Sequence, residues 1–114
     1  MTDCRIDFHS ETAEKAKAHM LNEETLVNLC KIYKTIGEPS RMKIILSLIE
    51  GDMCVYHICE STGLKQSLTS HQLSVLKQGN IIKSRREGQN IIYSIADGHI
   101  KSIIEMSLIH LKCL

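Results

Sequence analysis

The chain has 114 residues, 43% of them apolar, with one phenylalanine, one proline and no tryptophan. This fits one small domain with a modest Leu/Ile core, packed from helices rather than as a β-sandwich. No apolar run approaches the length of a membrane span, and the polar, acidic start "MTDCRIDFHSETAEK" is no signal peptide, so a cytoplasmic protein that stays off membranes is expected.

Five cysteines (Cys4, Cys30, Cys54, Cys59, Cys113) are an odd number. In such a chain they point to metal binding or thiol chemistry rather than a disulfide framework. The net charge of +1 hides an asymmetry. Residues 1–64 carry seven Lys and Arg against ten Asp and Glu, whereas residues 65–114 carry seven against three. A basic second half suggests a local face for a polyanion.

Residues 1–21 read as an N-terminal arm, with "SETAEKAKAHM" either a short helix or a mobile, metal-contributing segment. Asn22 is placed to cap the next helix, with Glu23 and Glu24 favourable in its first turn. Leu26, Leu29, Cys30, Tyr33 and Ile36 give it a helical stripe that Gly37 ends. Pro39 suits the first position of the following helix, "SRMKIILSLIE", with Met42, Ile45, Leu46 and Ile49 on one face and Gly51 as its stop. Asp52 is the expected cap of a short helix, "MCVYHICEST", closed by Gly63. "QSLTSHQLSVLKQG" gives one more helix, with Leu68, Leu73, Val75 and Leu76 inward and Gln66, Ser67, Thr69, Ser70 and Gln72 outward. "NIIKSRREGQNIIYSI" then reads as a β-hairpin turning at Glu87-Gly88-Gln89, and a last helix closes the chain.

Two short helices joined at a Gly turn are a helix-turn-helix signature, whose second helix enters the major groove. "QSLTSHQ" supplies hydroxyls and amides suited to base edges and phosphates. The hairpin carries Lys83, Arg85 and Arg86 before its tip, the composition of a basic wing. The expected fold is therefore mainly α with a β-hairpin wing. There is no nucleophile–base–orienter set and no Gly-rich phosphate loop, which argues against an enzyme and a small organic substrate.

At this point "GLKQSLTSHQLSVLKQGNIIKSRREGQNIIYSI", preceded by "IGEPSRMKIILSLIEGDMCV", resembles the winged-helix core of the ArsR/SmtB family of bacterial metal-responsive repressors. The resemblance covers about residues 22–114. It implies a homodimeric winged helix-turn-helix with a C-terminal dimerisation helix, bound to double-stranded operator DNA when metal-free and released by metal. It also implies DNA contacts by Gln66, Ser67, Ser70, His71, Arg85 and Arg86. Lys65 departs from the family, which often has a Ser cap there.

The last helix carries Asp97, His99, His110 and Cys113. His99 and His110 are eleven residues apart, about 1100° of rotation, and face one way; their separation along the axis is about 16 Å. Metal–ligand bonds are only about 2.0–2.3 Å, so the two ends cannot share one metal. An antiparallel copy of the helix would bring Asp97 and His99 of one subunit beside His110 and Cys113 of the other, twice per dimer. His99, Ile103, Met106, His110 and Cys113 would form the seam, with Ile100, Ile104, Leu108 and Leu111 turned to the domain's own core. The resemblance implies the same set, with Cys113 where zinc sensors of the family carry His or Glu. The N, O and S donors suit Zn(II) first and soften the site towards Cd(II).

A second candidate cluster is Cys4, His9, Cys54 and His57. It resembles the arm-plus-helix site of the family's cadmium and lead sensors, with Tyr56 in place of a second cysteine. Cys30 and Cys59 are expected as small buried hydrophobes. The alternative on the same fold is a thiol-based redox or sulfur-responsive repressor.

Overall fold

The computed structural model describes residues 9–114. They fall into two compact units, divided between Cys30 and Lys31. The first holds helix α1 (His9–Ala18), with Glu11 in its first turn and Lys15 and Lys17 in its last. Helix α2 (Glu23–Ile36) starts in the first unit. Asn22 caps it as expected, its Oδ1 accepting from the Thr25 amide at 2.8 Å.

The second unit runs from Lys31 through the last turn of α2, α3 (Pro39–Glu50), β1 (Met53–Cys54), α4 (Val55–Thr62), α5 (Gln66–Gln78), β2 (Ile82–Glu87), β3 (Asn90–Ile95) and α6 (Gly98–Lys112). A side chain at Gly37 would put its Cβ 2.9 Å from the Tyr33 carbonyl oxygen, so a glycine is needed where α2 turns into α3. Pro39 sits in the first turn of α3, and the cap is Glu38, whose carboxylate accepts from the Ser40 and Arg41 amides. Gly63 ends α4 in the left-handed conformation, at φ 74°. It makes the tight corner that presents α5.

The three strands pair antiparallel in the order β1-β3-β2. Gly88 and Gln89 form a two-residue loop, shorter by one than the sequence suggested, because Glu87 pairs with Asn90. Gly88 has φ 62°, the glycine-first order of a hairpin turn that matches strand twist. The core is built of branched residues: Ile44, Ile45 and Leu48 from α3, Ile58 from α4, Leu73 and Leu76 from α5, Ile81 and Ile82 at the wing, and Ile100 and Ile104 from α6.

Five expectations change. On α3 the buried face is Ile44, Ile45 and Leu48, and Leu46 is exposed; the inward stripe is rotated by one position. Met53 and Cys54 are extended, paired with Tyr93 and Ile92, so Asp52 cannot cap α4 and Cys54 occupies the cap position. On α5, Thr69 and Gln72 are buried and Leu68 is exposed, the reverse of their expected faces. Cys30 is exposed, not buried, and Cys59 is half-buried. Leu108 and Leu111 stay exposed on α6, where Ile100 and Ile104 are buried and Ile103 packs half-buried against the core.

Candidate nucleic-acid interface and metal ligands

The outer face of α5 carries Gln66, Ser67, Ser70 and His71, all exposed. Their spacing puts them on adjoining turns of one side. Lys65 stands at the cap position without a side-chain hydrogen bond, so the first turn keeps unsatisfied N–H groups. These point where a phosphate or base acceptor would approach.

The opposite face buries two polar residues, Thr69 and Gln72. Gln72 Nε2 donates to Glu38 Oε2 at 3.1 Å and to Ser40 Oγ at 2.8 Å, while its Oε1 accepts from Arg41 Nη1 at 3.0 Å. Arg41 Nε donates to the Thr35 carbonyl at 2.7 Å. Ser40 Oγ in turn donates to Glu38. That hydroxyl foremost, then the Arg41 and Ser40 amides, hold the Glu38 carboxyl below the usual carboxylate range. Sequence reasoning missed this cluster. The signal was present in spacing, since residues 69, 72, 73 and 76 make one helical stripe.

On the wing, Lys83, Arg85 and Arg86 are all exposed. Arg85 is engaged: its Nη1 donates to Asp52 Oδ2 at 2.8 Å and its Nε to Glu87 Oε1 at 3.0 Å. Asp52 first and Glu87 second raise the guanidinium's pKa above its ordinary value. Asp52, expected as a helix cap, is thus an anchor for the wing. Among the described residues Arg86 makes no ion pair.

On α6 the four candidate ligands fall into two pairs. Asp97 caps the helix, its Oδ1 accepting from the His99 amide at 2.9 Å and the Ile100 amide at 3.3 Å. His99 Nδ1 lies 3.3 Å from the same oxygen, and the His99 side chain is 92% exposed. The Ile100 amide foremost, then the His99 amide and ring, keep the Asp97 carboxyl below its usual value, hence ionised and able to ligate. At the far end His110 and Cys113 are exposed, and the Cys113 amide bonds the His110 carbonyl at 3.1 Å. Between the pairs lies an open groove of about 750 Å³ lined by Tyr33, Ile103, Met106, His110 and Leu111 among others. Among the described residues no three His, Cys, Asp or Glu side chains come close enough to hold a metal within one chain.

Of the second cluster, Cys54 Sγ and His57 Nδ1 are 3.4 Å apart, with the Tyr56 ring edge-on to His57. Cys4 lies outside the described residues, and His9 opens α1 in the other unit.

Comparison with known proteins agrees with this geometry. The family described as bacterial regulatory protein, arsR family, matches residues 38–84, from the cap of α3 into β2. A cadmium resistance transcriptional regulatory protein CadC homolog of Staphylococcus aureus is 30% identical over 110 residues, 94% of this chain and 89% of that protein. A transcriptional repressor SmtB homolog of Synechocystis is 25% identical over 104 residues, 91% of this chain and 79% of that one. The solution structure of the homodimeric winged helix-turn-helix DNA-binding domain of a Mycobacterium bovis protein superposes with a TM-score of 0.74 at 24% identity, covering 83% of this chain and 90% of that one. Helix-turn-helix, wing and terminal helix are thus all accounted for by one architecture, and the chain belongs to the arsR family of bacterial regulatory proteins.

Proposed function

We propose that the protein is a metal-responsive transcriptional repressor of the cytoplasm. It binds operator DNA as a metal-free homodimer and releases it when Zn(II), or Cd(II), binds between the two copies of α6. One observation carries the reading: α6 holds a two-donor pair at each end and completes neither. Half-sites of this kind are finished by an antiparallel second copy. The set of one carboxylate, two imidazoles and one thiolate fits a tetrahedral zinc centre.

The exposed Met106, Ile109 and Leu111 support the same pairing, since apolar side chains of this size on one helix call for a partner. Asp97 and His99 of one copy with His110 and Cys113 of the other would hold the metal. When bound it would supply a crosslink between subunits. Fixing the α6 helices fixes the angle between the two α5 helices, and so their match to successive major grooves. Gln66, Ser67, Ser70 and His71 would read the DNA, and Arg85 and Arg86 would grip its backbone. The name of the Staphylococcus relative, a cadmium resistance regulator, favours metal over a thiol switch.

Fluorescence anisotropy of the reduced protein on DNA from upstream of its own gene tests the reading, at fixed salt, with and without one zinc per protomer. A large loss of affinity with zinc, reversed by a chelator, is expected. Tight binding indifferent to zinc and cadmium would remove metal response and leave only the DNA-binding function.

A further inference from the structure

The apolar contacts of α5 do not by themselves fix how it is turned. Leu73 and Leu76 are buried, but apolar packing is non-directional and tolerates small rotations. The directional contacts come from Gln72. The residue is only 6% exposed, and its side chain uses both amide protons and its oxygen on three residues of the α3 N-terminus. Those residues are themselves fixed: Glu38 by the amides it caps, and Arg41 by the carbonyl of Thr35 at the end of α2. Among the described residues no buried side-chain nitrogen or oxygen is left without a partner. A buried polar cluster satisfied to this degree specifies one arrangement of the groups around it.

We propose that Gln72 is a positioning residue for DNA recognition: held by Glu38, Ser40 and Arg41, it sets the rotation of α5 and so the placement of Ser70 and His71 against base edges. The proposal rests on the reading that α5 enters the major groove. The magnitudes support it. Side-chain tips lie about 5–6 Å from a helix axis, so a turn of about 20° moves them by about 2 Å. A hydrogen bond to a base edge tolerates only a few tenths of an ångström. Phosphate contacts by long basic side chains act through charge and survive such a shift. Gln72 therefore governs discrimination between sequences more than affinity for DNA as such.

The experiment uses the full-length protein and a duplex that the parent protein itself selects from a random pool. Affinities for that duplex and for a scrambled one are measured by anisotropy at one salt concentration. Gln72→Leu is expected to weaken binding to the selected duplex about tenfold and to the scrambled one by less than about twofold. Ser40→Ala, which removes one partner of Gln72 and leaves the Glu38 cap, is expected to do the same at about threefold. A purely structural role would lower both affinities together through the folded fraction and leave their ratio unchanged. An unchanged ratio in both variants overturns the proposal, and Ser40→Ala alone decides it where Gln72→Leu does not fold. A parent protein that selects no sequence would instead overturn the DNA-binding reading beneath it.

Discussion

Two polar clusters of this chain stand in contrast. The one around Gln72 is closed: both amide protons of Gln72 and its oxygen find partners inside the chain, and all its members are at least partly buried. The one along α6 is open, with Asp97 and His99 at one end, His110 and Cys113 at the other, and all four exposed. A closed cluster has spent its bonding capacity on holding the fold in one state. An open cluster keeps capacity for something outside the chain. The two clusters differ in residue type, and it is the state of their bonding that separates them most.

The sharpest way to break this contrast is to remove one of the open pairs. Replacing His110 and Cys113 together by alanine should abolish release of DNA by zinc and weaken zinc binding at least about a hundredfold, as expected when a population shift loses its ligand. Metal-free DNA binding should be unchanged, because neither residue contributes to the core. Zinc titration of the DNA complex measures both. A variant that still releases DNA would show that the terminal helix is not the sensor.

The wing offers a smaller test. Arg86 has no acidic partner among the described residues, whereas Arg85 is held by Asp52 and Glu87. Arg86→Ala should therefore weaken binding to all duplexes and lower the slope of log affinity against log salt by about one. Arg85→Ala should cost less, because Arg85 must leave two carboxylates to reach a phosphate. Asp52→Asn should strengthen binding by about twofold, because it removes one of the two carboxylates that compete for that arginine. Equal losses from the two arginine variants would mean that the acidic partners do not compete with DNA.

A further prediction concerns pH. The folded chain holds the Glu38 carboxyl below its ordinary value. Its contribution to stability is thus complete above the unfolded value and is lost as pH falls through the folded one. Acid unfolding of the parent should be steeper than that of Glu38→Gln in the range below the usual carboxylate titration. Asp97 has the same sign, so the variant should flatten the acid limb only in part. Parallel acid curves would show that the cap and the Gln72 contact persist when the carboxyl is protonated.

Much of the fold was readable because the punctuation is strong. Asn22, Gly37, Pro39 and Gly63 stand where the helix boundaries fall, and Gly88 sits in the wing turn. The faces were less readable, for one physical reason. On α3 the inward stripe is Arg41, Ile44, Ile45 and Leu48, and on α5 it is Thr69, Gln72, Leu73 and Leu76. Both follow helical spacing, but each includes polar residues that a search for apolar letters passes over. Arg41 and Gln72 are tolerated inside because they satisfy each other at 3.0 Å. Asp52 failed as a predicted cap because two residues of β1 come between it and α4, a pairing with β3 that no local pattern signals. The candidate metal ligands stood out by residue type and spacing. Among the described residues no third such side chain joins either pair, so the fold of a single copy leaves two separate pairs.

The smallest effect concerns the start of the recognition helix α5. Lys65 occupies the cap of α5 and makes no side-chain hydrogen bond there. Serine at that position would accept from an N–H of the first turn, and caps of this kind are worth about 1 kcal/mol. Lys65→Ser should therefore raise the melting temperature by about 4 °C or somewhat more, read by thermal unfolding. DNA affinity should move the other way if the lysine charge reaches a phosphate, with a salt slope lower by about one. Gain of stability together with loss of slope would show that this position exchanges a helix cap for a DNA contact. Gain of stability with the slope intact would make Lys65 a bystander and confine the DNA-facing charge to the wing.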